Sequence, residues 1–193
     1  MKPELALSLT LLLSPVVCNA QQDAPFTLPA GYRWGDCNNI VASFPTPEGW
    51  HIKEETKGET RACFITLEEI TAGGIYSTGL AINTIPNTSA KMGRKPSEIA
   101  QDYARKANGG NNQEVEERTL GDFKSFKAKS ATLKFPQLGR SMTMQTTAIA
   151  NDRKNITYIL TFEAPESEGN KAQQIGEMMI QRAKLDQTFS GTR

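Results

Sequence analysis

Histidine and cysteine are scarce in this sequence of 193 residues, which has one histidine and three cysteines. A single imidazole offers too few ligands for a zinc site and too few partners for a histidine-based catalytic triad. His51 lies between Trp50 and Ile52, where strand alternation places it on the polar side. We therefore predict a solvated His51, and the sequence indicates neither a bound metal nor a cofactor.

Excess charge of either sign is also missing. The 22 lysines and arginines nearly balance the 21 acidic residues, which leaves a formal charge of +1. A near-neutral chain has no electrostatic basis for binding nucleic acid. Beyond the N-terminus no apolar run approaches the length of a membrane span, and a hydrophobic content of 38% suits one globular domain.

The N-terminus has the pattern of a secretory signal peptide. Lys2 is followed by an apolar run over residues 5–13, and Cys18-Asn19-Ala20 offers small residues to a signal peptidase. Cys18 could instead carry a lipid, but the residue before it is Val17 rather than a small one, so lipidation is not favoured. We predict cleavage after residue 20 and export to the periplasm or the medium.

Two cysteines remain after cleavage, Cys37 and Cys63. An even pair in an oxidising compartment predicts a structural disulfide, worth about 3 kcal/mol on the chain-entropy estimate. A redox-active pair is the alternative, but catalytic cysteines usually lie only two residues apart.

Apolar alternation and turn residues predict the organisation of the chain. Residues 21–37 are expected to form a loosely held arm, residues 38–188 one domain, and residues 189–193 a tail. In that domain, Ile156, Tyr158, Leu160 and Phe162 alternate in one strand. Short turns join most strands, which predicts an α+β domain with a mostly antiparallel sheet of about six to seven strands.

Other predicted elements bear on the outcome below. A single strand is predicted over residues 123–133, and helices over residues 96–107 and 171–185. Pro96 is tolerated in the first turn of a helix because its missing N–H would have no partner there.

No catalytic pattern is recognisable. The adjacent carboxylates Glu68-Glu69 and Glu116-Glu117 would point to opposite faces of a strand, and no Gly-x-Ser-x-Gly motif is present. A non-enzymatic binding module is therefore favoured. A small hydrolase assembled from distant carboxylates stays open as the alternative.

Residues 87–95 form the best candidate for a partner-binding element, since they are long for a connection and carry three cations. A solvated, mobile loop is the alternative interpretation. The predicted partner-binding residues are Tyr76, Lys91, Met92, Arg94 and Lys95.

Several stretches together are similar to a known family: residues 44–50, 63–66, 78–83, 95–98 and 158–163. Over residues 38–186 the chain resembles the PsbP-like family, which includes photosystem extrinsic subunits and bacterial DcrB-like envelope proteins. The resemblance implies an α/β/α sandwich around an antiparallel sheet. It also implies a binding or assembly role, with an envelope protein or membrane complex as the partner, and no defined reaction.

Overall fold

The computed structural model describes residues 26–70, 76–107, 115–128, 131–135 and 139–185. The predicted signal peptide with Cys18 and the predicted C-terminal tail lie outside these residues. No helix in the described part of the chain has the length and apolar character that a membrane crossing requires.

Strands dominate the described residues. They are β1 (Tyr32–Cys37), β2 (Ala42–Pro47), β3 (His51–Lys57), β4 (Thr60–Thr66), β5 (Gly79–Pro86), β6 (Glu116–Leu120), β7 (Phe123–Lys127), β8 (Ala131–Phe135), β9 (Arg140–Asn151), β10 (Ile156–Pro165) and β11 (Lys184–Leu185). The helices are α1 (Thr88–Met92), α2 (Pro96–Ala107) and α3 (Gly169–Gln181).

Eight strands form the main sheet, in the order β3-β4-β5-β10-β9-β7-β6, with β8 paired to β9. All of its pairings are antiparallel, and short turns join β3 to β4, β6 to β7 and β9 to β10. The central strand β10 is buried on both faces, and Tyr158 and Leu160 on one face have no solvent exposure. The alternation predicted for this strand is thus confirmed.

Helix α2 covers one face of the main sheet. Its buried Ala100 and Ala104 pack in a cluster with Ala148 of β9 and Ile159 of β10. The predicted boundaries of this helix are confirmed, including Pro96 as its first residue. Small side chains on both surfaces allow the helix to approach the sheet closely.

Helix α3 covers the opposite face and completes the α/β/α sandwich. Its buried Ala172 and Met179 belong to the main core cluster together with Leu160 and Phe162 of β10. Because Ile159 and Leu160 are neighbours in a strand, they point to opposite faces, and each face has its own helix.

A smaller sheet, in the order β1-β2-β11, packs on the α3 side of the molecule. A disulfide joins Cys37 at the end of β1 to Cys63 in β4, with a Cα–Cα distance of 5.9 Å. Both cysteines are fully buried in the main core. The predicted disulfide is therefore present, and it fastens the small sheet to the large one.

The predicted N-terminal arm is wrong from residue 32 onward. Residues 32–37 form β1, which pairs along its whole length with β2. The C-terminal helix is also shorter than predicted, because it ends at Gln181 and leaves Lys184–Leu185 to pair with β2. Both errors concern the small sheet, in which β1 and β2 are neighbours along the chain and β11 follows the last helix.

The strand predicted over residues 123–133 is divided into β7 and β8. Both pair with β9, β7 through Lys124–Lys127 and β8 through Ala131–Phe135. The predicted loop over residues 87–95 contains a short helix, α1. Two backbone N–H groups of α1, those of Thr88 and Ser89, donate hydrogen bonds to Asn155 in the β9–β10 turn.

Candidate functional site

A groove runs between α3 and the outer strands of the main sheet. Its floor is formed by Gln145, Thr147 and Ile149 of β9 with Ser125 and Lys127 of β7. These side chains share one face because Ser125 pairs with Ile149 and Lys127 pairs with Thr147. Glu116 and Arg118 of β6 lie at the outer border, and the volume is about 230 Å³.

The opposite wall is the C-terminal half of α3, which contributes Glu177 and Ile180, and Arg182 follows directly after the helix. The groove forms because a single helix is narrower than the sheet on which it packs. A helix with its side chains is about 10 Å across, whereas neighbouring strands lie about 4.8 Å apart. One helix therefore covers about two strands, so Ser125 and Lys127 of β7 are only half-buried on this face and residues 116–119 of β6 are exposed.

Polar side chains lie at the bottom of the groove, where a core would be apolar. Gln145 is 4% exposed and Thr147 is 3% exposed. Among the described residues, the Oγ1 atom of Thr147 has no hydrogen-bond partner. A buried hydroxyl without a partner costs about 1–3 kcal/mol, so this hydroxyl would gain from a hydrogen bond to a water or to a ligand.

Charged side chains line the rim of the groove. The Lys127 ammonium lies 2.8 Å from Oε1 of Glu177 and joins the floor to the helix wall. At the outer border, Nε of Arg118 donates to Glu116 over 2.7 Å. The two carboxylates of the lining are therefore already paired.

Arg182 is the exception among the cations of the lining. Its guanidinium carbon lies 4.7 Å from the centre of the Phe26 ring. Within the described part of the chain Arg182 forms no salt bridge. Stacking on a ring leaves the edge of a guanidinium free to donate hydrogen bonds, so Arg182 can receive an anionic group.

The predicted residue Tyr76 lies on the other face of the main sheet. Its ring makes an edge contact with Phe64 at 6.2 Å between centroids, and its hydroxyl is hydrogen-bonded to Glu163 of β10. Burial raises the pKa of Glu163, against the hydrogen bond from Tyr76, which lowers it. Burial, followed by the nearby Glu163 carboxylate, raises the pKa of Tyr76.

The segment that carries Tyr76 is held by Glu68. The backbone N–H groups of Ser77 and Thr78 donate to the Glu68 carboxylate over 3.3 and 3.2 Å, and the Ser77 hydroxyl donates as well. One of the adjacent carboxylates noted in the sequence is therefore a structural acceptor that positions the start of β5.

The other predicted partner-binding residues lie at the far end of β5, in and after α1. Lys91 forms a salt bridge of 2.9 Å with Glu59, and Arg94 forms salt bridges with Glu98 and Asp102. Met92 is 44% exposed. Lys95 is exposed and forms no salt bridge with the described residues.

The structure thus brings Lys91, Met92, Arg94 and Lys95 together in one segment but does not bring Tyr76 to them. Strand β5 separates the two locations by about 25 Å, as eight extended residues require. The hydrogen bond from Arg94 is the leading reason why the pKa of Asp102 is lowered.

No catalytic constellation appears in the described residues. No group of three or more histidine, cysteine, aspartate or glutamate side chains there could hold a metal ion. His51 is exposed, as predicted.

Sequence reasoning missed the residues of the groove. Gln145, Thr147 and Ile149 alternate along β9 and therefore share one face of the strand. Two polar residues on the same face as a buried isoleucine were the signal in the sequence that could have indicated a polar site. Arg182 had no signal in the sequence, because its importance depends on α3 ending beside β7.

No protein-family model matches the sequence, and no curated protein gives a significant match. The α/β/α sandwich is similar to solved structures. One is a protein of Bacteroides thetaiotaomicron VPI-5482, with 14% identity, a TM-score of 0.48 and coverage of 76% of this chain and 46% of that one. The chain thus spans about half the length of that protein.

Two other similar structures concern the predicted resemblance. Cyanobacterial PsbP from Synechocystis sp. PCC 6803 has 8% identity, a TM-score of 0.41 and coverage of 82% of this chain and 94% of that one. LpqN of Mycobacterium tuberculosis, involved in cell envelope biogenesis, has 11% identity, a TM-score of 0.43 and coverage of 80% and 90%. Both similarities concern the fold alone, and no function follows from them.

Proposed function

We propose that this protein is an exported, non-enzymatic binding module of the cell envelope that holds a protein partner in the groove between α3 and β7. The observation that carries the proposal is the polar floor of the groove. The buried hydroxyl of Thr147 has no hydrogen-bond partner among the described residues, and it lines the same groove as Arg182, which forms no salt bridge with them. Rigid, partly apolar concavities with a few polar groups are typical binding sites.

Export is supported by the predicted signal peptide and by the disulfide. Disulfides persist in oxidising compartments and are rare in the cytoplasm. The bond between Cys37 and Cys63 is buried, and it joins the two sheets. An envelope protein or a membrane complex is the expected partner of a module in that compartment.

The rival function, a hydrolase with two carboxylates, has less support. The carboxyl group of Glu163 has a raised pKa, but it lies on the same face of β10 as Ile159, away from the groove. The groove's own carboxylates, Glu116 and Glu177, are neutralised by Arg118 and Lys127. An acid–base pair across the groove would have to break those salt bridges first.

The segment around α1 is a second candidate surface for the same function. Exposed Met92 and Lys95 are available there, whereas Lys91 and Arg94 are engaged with neighbouring carboxylates. If this segment meets an acidic partner, charge reversal at Arg94 and Lys95 slows association. Reversal at Lys95 alone leaves the melting temperature almost unchanged, whereas reversal at Arg94 also breaks its salt bridges with Glu98 and Asp102. Unaltered affinity across a range of salt would exclude this segment.

Site-specific photo-crosslinking in envelope extracts tests the main proposal. A photoreactive phenylalanine at Ser125 would point into the groove, and the same group at the exposed neighbour Lys124 would point to the other face. We expect a discrete crosslinked protein from position 125 and none from position 124. Equal products from both positions, or turnover of a small substrate with no captured protein, would contradict the proposal.

A further inference from the structure

We propose that the groove receives the C-terminal end of a polypeptide, with its terminal carboxylate on Arg182. This inference rests on the proposed function and names the chemistry of the partner. The argument uses the charges of the lining, the buried polar floor and the size of the groove.

The charges of the lining leave one place for an anion. Glu116 is paired with Arg118. Glu177 is paired with Lys127, whose ammonium lies 2.8 Å from the Glu177 carboxylate. Arg182 forms no salt bridge within the described ranges, and its guanidinium carbon lies 4.7 Å from the centre of the Phe26 ring. A guanidinium fixed by stacking presents a planar pair of donors, which matches a carboxylate in a bidentate arrangement.

The floor of the groove suits the backbone and side chain that precede such a carboxylate. The Thr147 hydroxyl can both donate and accept a hydrogen bond, and no described residue is its partner. The buried Gln145 offers an amide with the same two capacities. Ile149 and Ile180 supply an apolar surface beside them.

The size of the groove favours a chain end over a long segment. Its volume of about 230 Å³ lies below the range of about 300–1,000 Å³ that is usual for sites of drug-sized ligands. One carboxylate, one or two peptide groups and one apolar side chain make use of all the chemistry in the lining. An internal aspartate or glutamate would use Arg182 but would need room for chain on both sides.

Titration of the ¹⁵N-labelled protein with a matched pair of peptides tests this inference. The probes are acetyl-Ala-Ala-Leu with a free carboxylate and the same peptide with a C-terminal amide, and butanoate is the third ligand. We expect the free acid to shift the amide signals of Gln145, Thr147 and Arg182, and to bind at least tenfold more tightly than the amide. Butanoate should bind at least tenfold more weakly than the free acid.

Three variants and one control assign the roles. Arg182→Gln should weaken binding of the free acid at least tenfold, whereas the control Arg153→Gln, which removes an exposed arginine paired with Asp122, should leave it unchanged. Thr147→Val should weaken binding several-fold without lowering the melting temperature, because an unsatisfied buried hydroxyl is lost. Arg182→Lys should bind with an intermediate affinity, since it keeps the charge but loses the bidentate pair.

Several results would overturn the inference. They are equal affinity for acid and amide, equal affinity for butanoate, no binding of the free acid at millimolar concentration, or an Arg182→Gln variant that binds normally. If the crosslink from position 125 persists in Arg182→Gln, the proposed function stands and only the carboxylate chemistry is wrong. If the protein with the photoreactive group at position 125 and an unchanged Arg182 gives no crosslinked partner, the proposed function itself is contradicted.

Discussion

Replacement of Gly176 by alanine tests how closely α3 packs on the main sheet. Because α3 forms one wall of the groove, this replacement also tests the position of that wall. Gly176 is a buried residue of α3 that faces Phe162 of β10. A Cβ atom at position 176 would lie less than 3.0 Å from three atoms of the Phe162 ring, closer than real Cβ contacts. Phe162 is 2% exposed, so its ring has little room to move away.

Two effects of opposite sign set the magnitude. Alanine in place of glycine favours the helix by about 1 kcal/mol. Overpacking a filled core costs about 1–3 kcal/mol, and three ring atoms in conflict place Gly176→Ala near the upper end. We expect a net loss of about 1–2 kcal/mol in the free energy of unfolding, or roughly 2–8 °C in melting temperature for a domain of this size.

Denaturant unfolding measures this loss, and a double-mutant cycle assigns it. Phe162→Leu removes ring atoms from the conflict, so the double variant should lose less stability than the sum of the two single variants. A Gly176→Ala protein that is more stable than the parent would refute the reasoning. It would mean that α3 does not rest on Phe162.

Three further predictions concern other parts of the molecule. Replacement of both Cys37 and Cys63 by serine should lower the free energy of unfolding by about 3 kcal/mol in denaturant titrations. Two free thiols in the non-reduced parent protein would contradict the disulfide on which this prediction rests. Glu163→Gln should raise the melting temperature at pH 7, because a carboxyl with a raised pKa loses its stabilising contribution as the pH rises through that value. The gain should vanish below the ordinary carboxyl pKa, and a gain that does not depend on pH would exclude this cause. Asp152→Ala should cost about 1 kcal/mol in thermal unfolding, because the Asp152 carboxylate accepts from the backbone N–H and hydroxyl of Ser97 in the first turn of α2, and unchanged stability would show that this cap is unimportant.

Much of the sandwich could be predicted because its elements obey local periodicity. The strand over residues 156–162 and the helix over residues 96–107 each have an apolar pattern that only one kind of element can bury. The short turns between strands also made the antiparallel pairing predictable. These elements are central, so their patterns are strong.

The small sheet could not be predicted in the same way. Strand β1 is stabilised by pairing with β2, and β11 is only two residues long and comes from the end of the described chain. The pairing of β1 with β2 is local, but residues 32–37 mix polar and apolar side chains and contain a glycine, so they show no clear strand pattern. Turn residues and mixed polarity there favour an arm until the partner strand is known.

The candidate site was still further from prediction. Its residues come from β6, β7, β9 and α3, and the groove exists because one helix covers only part of a wide sheet. Thr147 reads as an ordinary β-branched strand residue, and nothing local shows that its hydroxyl is buried without a partner. The charged segment after β5 was visible in the sequence, but its salt bridges depend on Glu59 and Asp102.

The most direct test is an NMR titration. The partner identified by crosslinking is added to the isotope-labelled protein, and the shifts of its backbone amide signals are recorded. The account predicts that amide shifts on partner binding concentrate on β7, on β9 near Thr147, and on the C-terminal half of α3. Shifts confined to α1 and Lys95, or to the face around Tyr76 and Glu163, would contradict it. The groove would then be only a gap at the edge of the sheet.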